Sequence, residues 1–184
     1  MLRRSFPILI LLPALCLYGP GCGMASKIKK LSETEYGQYI ALRPFMTEEE
    51  RETWLKFKTD AERDEWLKAK KCCVPEQSLW DKFYQYNDVV RKQILDGKVQ
   101  TGWIKDQVLM AWGAPYDKRK LTGRPAARSE LLVYRFERHD DGVVLVYEPG
   151  SKTLYKAIGT FTRLVYLDDD RVTSIDEKDG WVEE

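Results

Sequence analysis

The residues able to do chemistry in this chain are few and widely spaced. Four cysteines stand at positions 16, 22, 72 and 73, and the sole histidine, His139, is followed by Asp140 and Asp141. Three carboxylates are consecutive at Asp168, Asp169 and Asp170, and a basic run gathers Lys118, Arg119, Lys120, Arg124 and Arg128. Metal binding needs ligands at defined spacings. Cys72 and Cys73 lack the C-x-x-C spacing, and an aspartate turn lacks the ligand pattern of a calcium loop. No metal and no cofactor is assigned. Nucleophilic catalysis needs a serine or cysteine in a sharp elbow beside a base, and neither that nor a glycine-rich phosphate loop occurs. A carboxylate-based hydrolase stays as a minor alternative, because no pair of acids is singled out by spacing. The basic run reads as a solvated loop that could touch anionic lipid, glycan or phosphate.

The chemistry of Cys16 and Cys22 belongs to export. Arg3 and Arg4 precede an apolar run over residues 6–18, and Gly19, Pro20 and Gly21 supply small residues before Cys22. The run is shorter than the roughly 20 residues of a membrane span, so residues 1–21 read as a signal peptide. Cys22 preceded by Gly21 resembles a bacterial lipobox, which implies cleavage before Cys22 and attachment of acyl chains such as palmitate to it. Cleavage after Ala25, with Gly23 and Ala25 as the accepted small residues, is the competing reading and releases a soluble periplasmic protein. Under the first reading residues 22–31 are a tether. The absence of aspartate after Cys22 favours the outer membrane. Without Arg3 and Arg4 the 30 basic residues become one fewer than the 29 acidic ones. That balance argues against nucleic acid as a partner. In an oxidising compartment Cys72 and Cys73 can pair with each other, bridge to another chain or stay reduced.

The elements that must position these groups fall into two halves of one α+β domain, residues 32–184. In the helical half, residues 32–113, Ser32 with Glu35 forms a capping box for a helix to about Leu42, where Pro44 stops it. A twelve-residue duplication follows, residues 47–58 against 59–70, each copy opening on a capping box and placing Trp54-Leu55 or Trp66-Leu67 as equivalent anchors. A single longer helix is expected over residues 76–95, since Leu79, Phe83, Tyr86, Val90 and Ile94 repeat at threes and fours.

Residues 102–115 join the halves. Gly102 permits a bend, Lys105 or Asp106 starts a short helix with Val108, Leu109 and Trp112 on its apolar face, Gly113 suits a left-handed end, and Pro115 bars continuation. In the sheet half, residues 114–184, the period changes to two. Residues 116–129 read as the basic loop. Strands are expected at 130–138, 143–148, 160–167 and 171–176, with turns at His139 to Gly142 and at the three aspartates, in an antiparallel meander of about three to four strands under the N-terminal helices.

From Phe45 to Lys118 the chain resembles the GWxTD domain of bacterial envelope proteins: duplicated acidic helix starts, an aromatic helix, Gly102-Trp103-x-x-Asp106, and Gly113-x-Pro115. Lys105 occupies the place of that family's threonine. The tail from Gly102 to Ile175 is similar to the SmpA/OmlA group of small outer-membrane lipoproteins, one of which is an accessory subunit of the β-barrel assembly machine. It shares the turn, the helix ending Gly-x-Pro and a sheet closing on a strand like Arg171-Val172-Thr173-Ser174-Ile175. Neither resemblance implies a catalytic residue. Both imply a non-enzymatic envelope lipoprotein. The sequence as a whole reads as a lipid-anchored protein on the periplasmic face of the outer membrane, scaffolding an outer-membrane barrel or secretion assembly. Envelope proteins would dock on a sheet edge or on the tryptophan-bearing helices, with Trp54, Trp66 and Trp103 as candidate contacts. The alternative is a soluble periplasmic protein that binds a peptide or small ligand, or acts as an inhibitor.

Overall fold

Capping boxes set the helical layer. The Ser32 N–H donates to Glu35 Oε2 at 2.7 Å while Ser32 Oγ accepts from the Glu35 N–H, and Thr47 with Glu50 and Thr59 with Glu62 repeat the exchange. In this computed structural model the described residues are 21–72, 76–148 and 157–181, with side chains described from Met24 onward. The helices are α1 (Gly21–Ile28), α2 (Glu33–Leu42), α3 (Glu48–Trp54), α4 (Asp60–Ala69), α5 (Leu79–Tyr84), α6 (Asp88–Leu95) and α7 (Lys105–Trp112). A two-residue ribbon, β1 (Lys71–Cys72) with β2 (Gln77–Ser78), links α4 to α5. The second half is an antiparallel sheet of β3 (Asp117–Leu121), β4 (Ser129–Arg138), β5 (Val144–Val146), β6 (Gly159–Asp168) and β7 (Arg171–Asp179). The expected α+β class, helices first and antiparallel sheet second, is what the chain adopts.

Alternation along the long strands builds the core. Leu132, Tyr134 and Phe136 of β4 and Phe161, Val165 and Leu167 of β6 face the helices and are buried with Trp112, Val108, Leu79 and Ile94. Opposite residues in register, such as Phe136 and Phe161, stack with centroids 4.8 Å apart. The far face carries a smaller cluster of Leu131, Val133 and Leu164.

Several local expectations give way. The expected helix over 76–95 is two helices, because Gln85 closes α5 and Asn87 Oδ1 accepts from the Val90 N–H at 3.0 Å to cap α6. The basic loop contains β3, paired with β4 from Asp117 opposite Val133 to Leu121 opposite Ser129. The sheet is not a simple meander: β6 pairs with β4 along all ten residues, and the three-residue β5 shares the other edge of β4 with β3. A full-length pairing satisfies more backbone groups than a short hairpin return can. The main sheet therefore has five strands, above the three to four expected. The tether expected over 22–31 is helical to Ile28, and Met24, Ile28 and Leu31 pack against the core at helical spacing. Residues 149–156, between β5 and β6, lie outside the described residues.

Candidate functional site

The Gly102 to Pro115 stretch closes the sheet. Gly102, at φ +84°, donates its N–H to Val172 O, the Val172 N–H donates to Trp103 O, and the Lys105 N–H donates to Asp170 O, all within 2.9 Å. These bonds lay residues 102–104 along the outer edge of β7 before α7 begins. Ile104 N–H donates to the Gln107 side chain at 2.9 Å, which caps α7 without a serine or threonine. Asp106, the acid of the Gly-Trp-x-x-Asp pattern, sits in the first turn of α7 and pairs with the buried ammonium of Lys82, itself 5.1 Å from the Phe45 ring centroid. Lys105 pairs with Glu130 of β4, which also takes Lys118 at 3.1 Å. Burial pushes the Glu130 carboxyl up, yet the two lysines outweigh it and hold the group below its ordinary range. Gly113 ends α7 at φ +76° and ψ −157°, outside the left-handed helical basin expected of it and in a region essentially reserved for glycine. Tyr134 OH fixes that turn by donating to Gly113 O at 3.0 Å. Burial pushes the Tyr134 phenol far up.

The three aspartates close on the basic segment. Asp168 accepts from Arg124 Nε and Nη2 at 3.0 and 2.8 Å and from Ser129 Oγ at 2.6 Å, Asp169 accepts from the Arg128 N–H, and Asp170 pairs with Arg128. The Arg124 guanidinium, with help from Ser129, holds the Asp168 carboxyl below its usual range. Asp169 and Asp170 both have positive φ, 46° and 63°, as a tight two-residue hairpin requires. Among the described residues no group of three or more His, Cys, Asp or Glu side chains is placed to hold a metal. His139 is buried at the start of its hairpin, where its N–H donates to Val143 O and Nε2 lies 3.7 Å from the Glu137 carboxylate. Cys72 is half-buried in β1, and Cys73 lies outside the described residues.

The candidate contact tryptophans divide. Trp54 is fully buried, stacked on Tyr39 with centroids 5.5 Å apart, and Trp103 is 5% exposed in the same core. Neither presents a surface to a partner in this fold. Trp66 is half-buried with Phe57 beside it at 6.4 Å. The duplicated copies thus pack differently: the second buries Arg63, which pairs with Glu35 and donates to Phe57 O at 2.7 Å. Cys22 falls in the first turn of α1, and its side chain lies outside the described residues.

Two concave surfaces meet at Leu95. One is a cleft of about 510 Å³ between the helices and the sheet, with Tyr36, Ile40 and Leu95 on one wall, Val144 and Val146 on the other, and Trp112 beneath. Arg43 and Glu148, both partly exposed, pair across its rim. Arg163 lies over the Trp112, Phe136 and Phe161 rings at 5.0–5.3 Å and pairs with Glu177. The second is a groove of about 470 Å³ on the outer face of the helical layer, where Gln38 Nε2 donates to Tyr84 OH at 3.0 Å and Phe83, Arg91 and Leu95 are among the lining residues. Tyr36, Val89 and Leu95 on these helices are 48%, 68% and 46% exposed. The sequence pattern did not single out these surfaces. Tyr36, Val89 and Leu95 look like members of amphipathic faces, and only packing reveals that nothing described covers them. Compared with known protein families, curated proteins and solved structures, the chain matches none of them.

Proposed function

We propose that this chain is a non-enzymatic, exported lipoprotein of the bacterial cell envelope, anchored through Cys22 on the periplasmic face of the outer membrane and serving as an interaction subunit of a larger assembly. The observation that carries the docking role is the exposure of Tyr36, Val89 and Leu95 on α2 and α6, with Leu95 also lining the outer helical groove. Exposed apolar side chains beside a polar-rimmed groove are what a protein partner buries. Arg91, Lys92, Asp88 and Asp96 supply that rim. Three carboxylates around α7 and the sheet are engaged structurally, Asp106 with Lys82, Glu130 with Lys105 and Asp168 with Arg124. The resemblance to GWxTD and SmpA/OmlA proteins points the same way. Processing before Cys22 also suits α1, because cleavage after Ala25 would divide that helix and remove Met24 from its packing against the core.

The test is site-specific photocrosslinking in the native envelope from Val89 and Tyr36, with Lys178 on β7 as the control position. A discrete protein adduct from the helical positions, absent from the control and lost in a Leu95→Lys variant that keeps its fold, supports the reading. Equal labelling at all three positions, or none at the helical ones, overturns it.

A further inference from the structure

The outer edge of β7 is open over its last five residues, and the phase of its backbone is fixed. The Gly180 N–H donates to Thr160 O, and Asp179 faces Phe161 in the register. Antiparallel pairing alternates, so Asp176 and Lys178 also turn their backbone groups inward to β6, while Ile175, Glu177 and Asp179 turn theirs outward. Residues 102–104 cover that edge only at Arg171 and Val172. Among the described residues no strand pairs with it further along. An edge of this kind is a template for another strand, and charged side chains decide which strands it accepts.

Those charges match a second copy of themselves. Asp176 and Lys178 are exposed on the sheet face away from the helices, Asp176 opposite Leu164 of β6. Neither has an ion-pair partner among the described residues, whereas Glu177 between them pairs with Arg138 at 3.3 Å and Arg163 at 3.0 Å. Consider two β7 strands laid antiparallel, edge to edge, with a two-fold axis at Glu177. The outward backbone groups of Glu177 then meet their own copies, and those of Ile175 meet Asp179. On the far face Asp176 of each copy stands opposite Lys178 of the other, at the closer positions where Cα atoms are about 4.5 Å apart. The two Glu177 carboxylates approach on the helix side, each already held by two guanidiniums.

Other axes fail. An axis at Asp176 or at Lys178 sets like charges face to face, one at Asp179 puts Lys178 opposite Gly180, and one at Ile175 brings Lys178 to the Val172 edge that Trp103 already holds. The basic edge strand β3 is a poorer match. Its Lys118 and Arg119 are paired with Glu130 and Asp117, and β3 laid on β7 is a head-to-tail contact that does not close on two copies.

We propose that the free edge of β7 is a dimer interface, joining two copies of this chain into one continuous antiparallel sheet through residues 175–179. The contact is separate from the docking role of the helical layer. It is small, so it forms reversibly and strengthens where copies are held close together.

The experiment mixes mature protein of ordinary and of heavy-nitrogen isotope content and treats it with a carbodiimide, which joins a carboxylate directly to an amine in contact with it. Links between Asp176 and Lys178 that combine one light and one heavy chain are expected, in a product of twice the chain's mass. That mass separates it from the envelope-protein adduct sought from Val89 and Tyr36. Sedimentation velocity then follows the association of charge variants. Asp176→Lys and Lys178→Glu each set like charges opposite, twice per dimer, and are expected to weaken association about tenfold. The double variant, Asp176→Lys with Lys178→Glu, restores both pairs and is expected to recover it. Links confined to single-isotope chains, single variants that associate like the parent, or a double variant as weak as the singles overturns the interface. Species larger than two copies that persist in the single variants would assign the edge to β3 and overturn the two-fold contact.

Discussion

The Trp112 indole N–H donates to Gly97 O at 2.8 Å, and the same ring meets Tyr134 and Phe136 edge-on at 5.1 and 5.2 Å. One side chain thus ties the end of α6 to the end of α7 and seats both on β4. Trp112→Ala is expected to cost about 3–5 kcal/mol, as for a large buried aromatic, and Trp112→Phe to recover part of it while lacking the Gly97 bond. Urea unfolding of both variants measures this, and a loss below about 1 kcal/mol for the alanine variant would show that the ring is not the tie described.

Asp106→Ala removes the carboxylate that pairs with the buried Lys82 ammonium. The loss is expected to be about 1–3 kcal/mol, because the Lys82 ammonium is buried, whereas Lys105→Ala leaves Glu130 paired with Lys118 and is expected to cost about 1 kcal/mol or less. Equal losses in chemical denaturation would contradict the difference in burial.

Gly113→Ala is expected to destabilise by about 1–3 kcal/mol. Its added Cβ would meet Arg43 Nη2 only at an ordinary 3.5 Å, so the backbone conformation and not a clash sets the penalty. Gly37 is the opposite case: it is helical, and a Cβ there would come to 3.0 Å from Leu95 Cδ1, the free end of a half-exposed side chain. Gly37→Ala is expected to stabilise by up to about 1 kcal/mol, because helix propensity gains and Leu95 swings aside. Thermal unfolding of the two variants should shift in opposite directions.

Asp168, Glu130 and Glu50 all have their carboxyls held below the ordinary range: Asp168 by Arg124 and Ser129, Glu130 by Lys105 and Lys118 against its burial, and Glu50 by Lys70. A carboxyl whose folded pKa lies below its unfolded value contributes stability above the unfolded value and loses it as pH falls through the folded one. Stability is therefore expected to be level from neutrality down to about pH 5 and to fall below about pH 4. Urea midpoints across that window check the sign. An Asp168→Asn variant should start less stable at pH 7 and show a shallower acid slope.

The starts of α2, α3 and α4, the aspartate turn and the order of helices before sheet were legible in the residues alone, because those depend on groups a few residues apart. Ser32 with Glu35, Thr47 with Glu50, Thr59 with Glu62 and the Asp169-Asp170 turn follow from local hydrogen bonding and backbone conformation, and the α7 boundaries follow from Lys105 and Gly113. Where a local signal was weak or outvoted, the tertiary structure decided. Asn87 cut a continuous apolar stripe into two helices, and β3 formed in a basic segment because the free edge of β4 offered it backbone partners. The placement of the tryptophans was also tertiary: duplicated segments are equivalent as sequence, yet only Trp54 found Tyr39 to stack on, leaving Trp66 half-buried. Which charges neutralise one another, Asp106 with Lys82 or Asp168 with Arg124, depends on residues 24 and 44 positions apart meeting in space. The cleft and the outer groove are legible only there too, since a concavity is a relation among α2, α6, α7 and β5 that no single segment encodes.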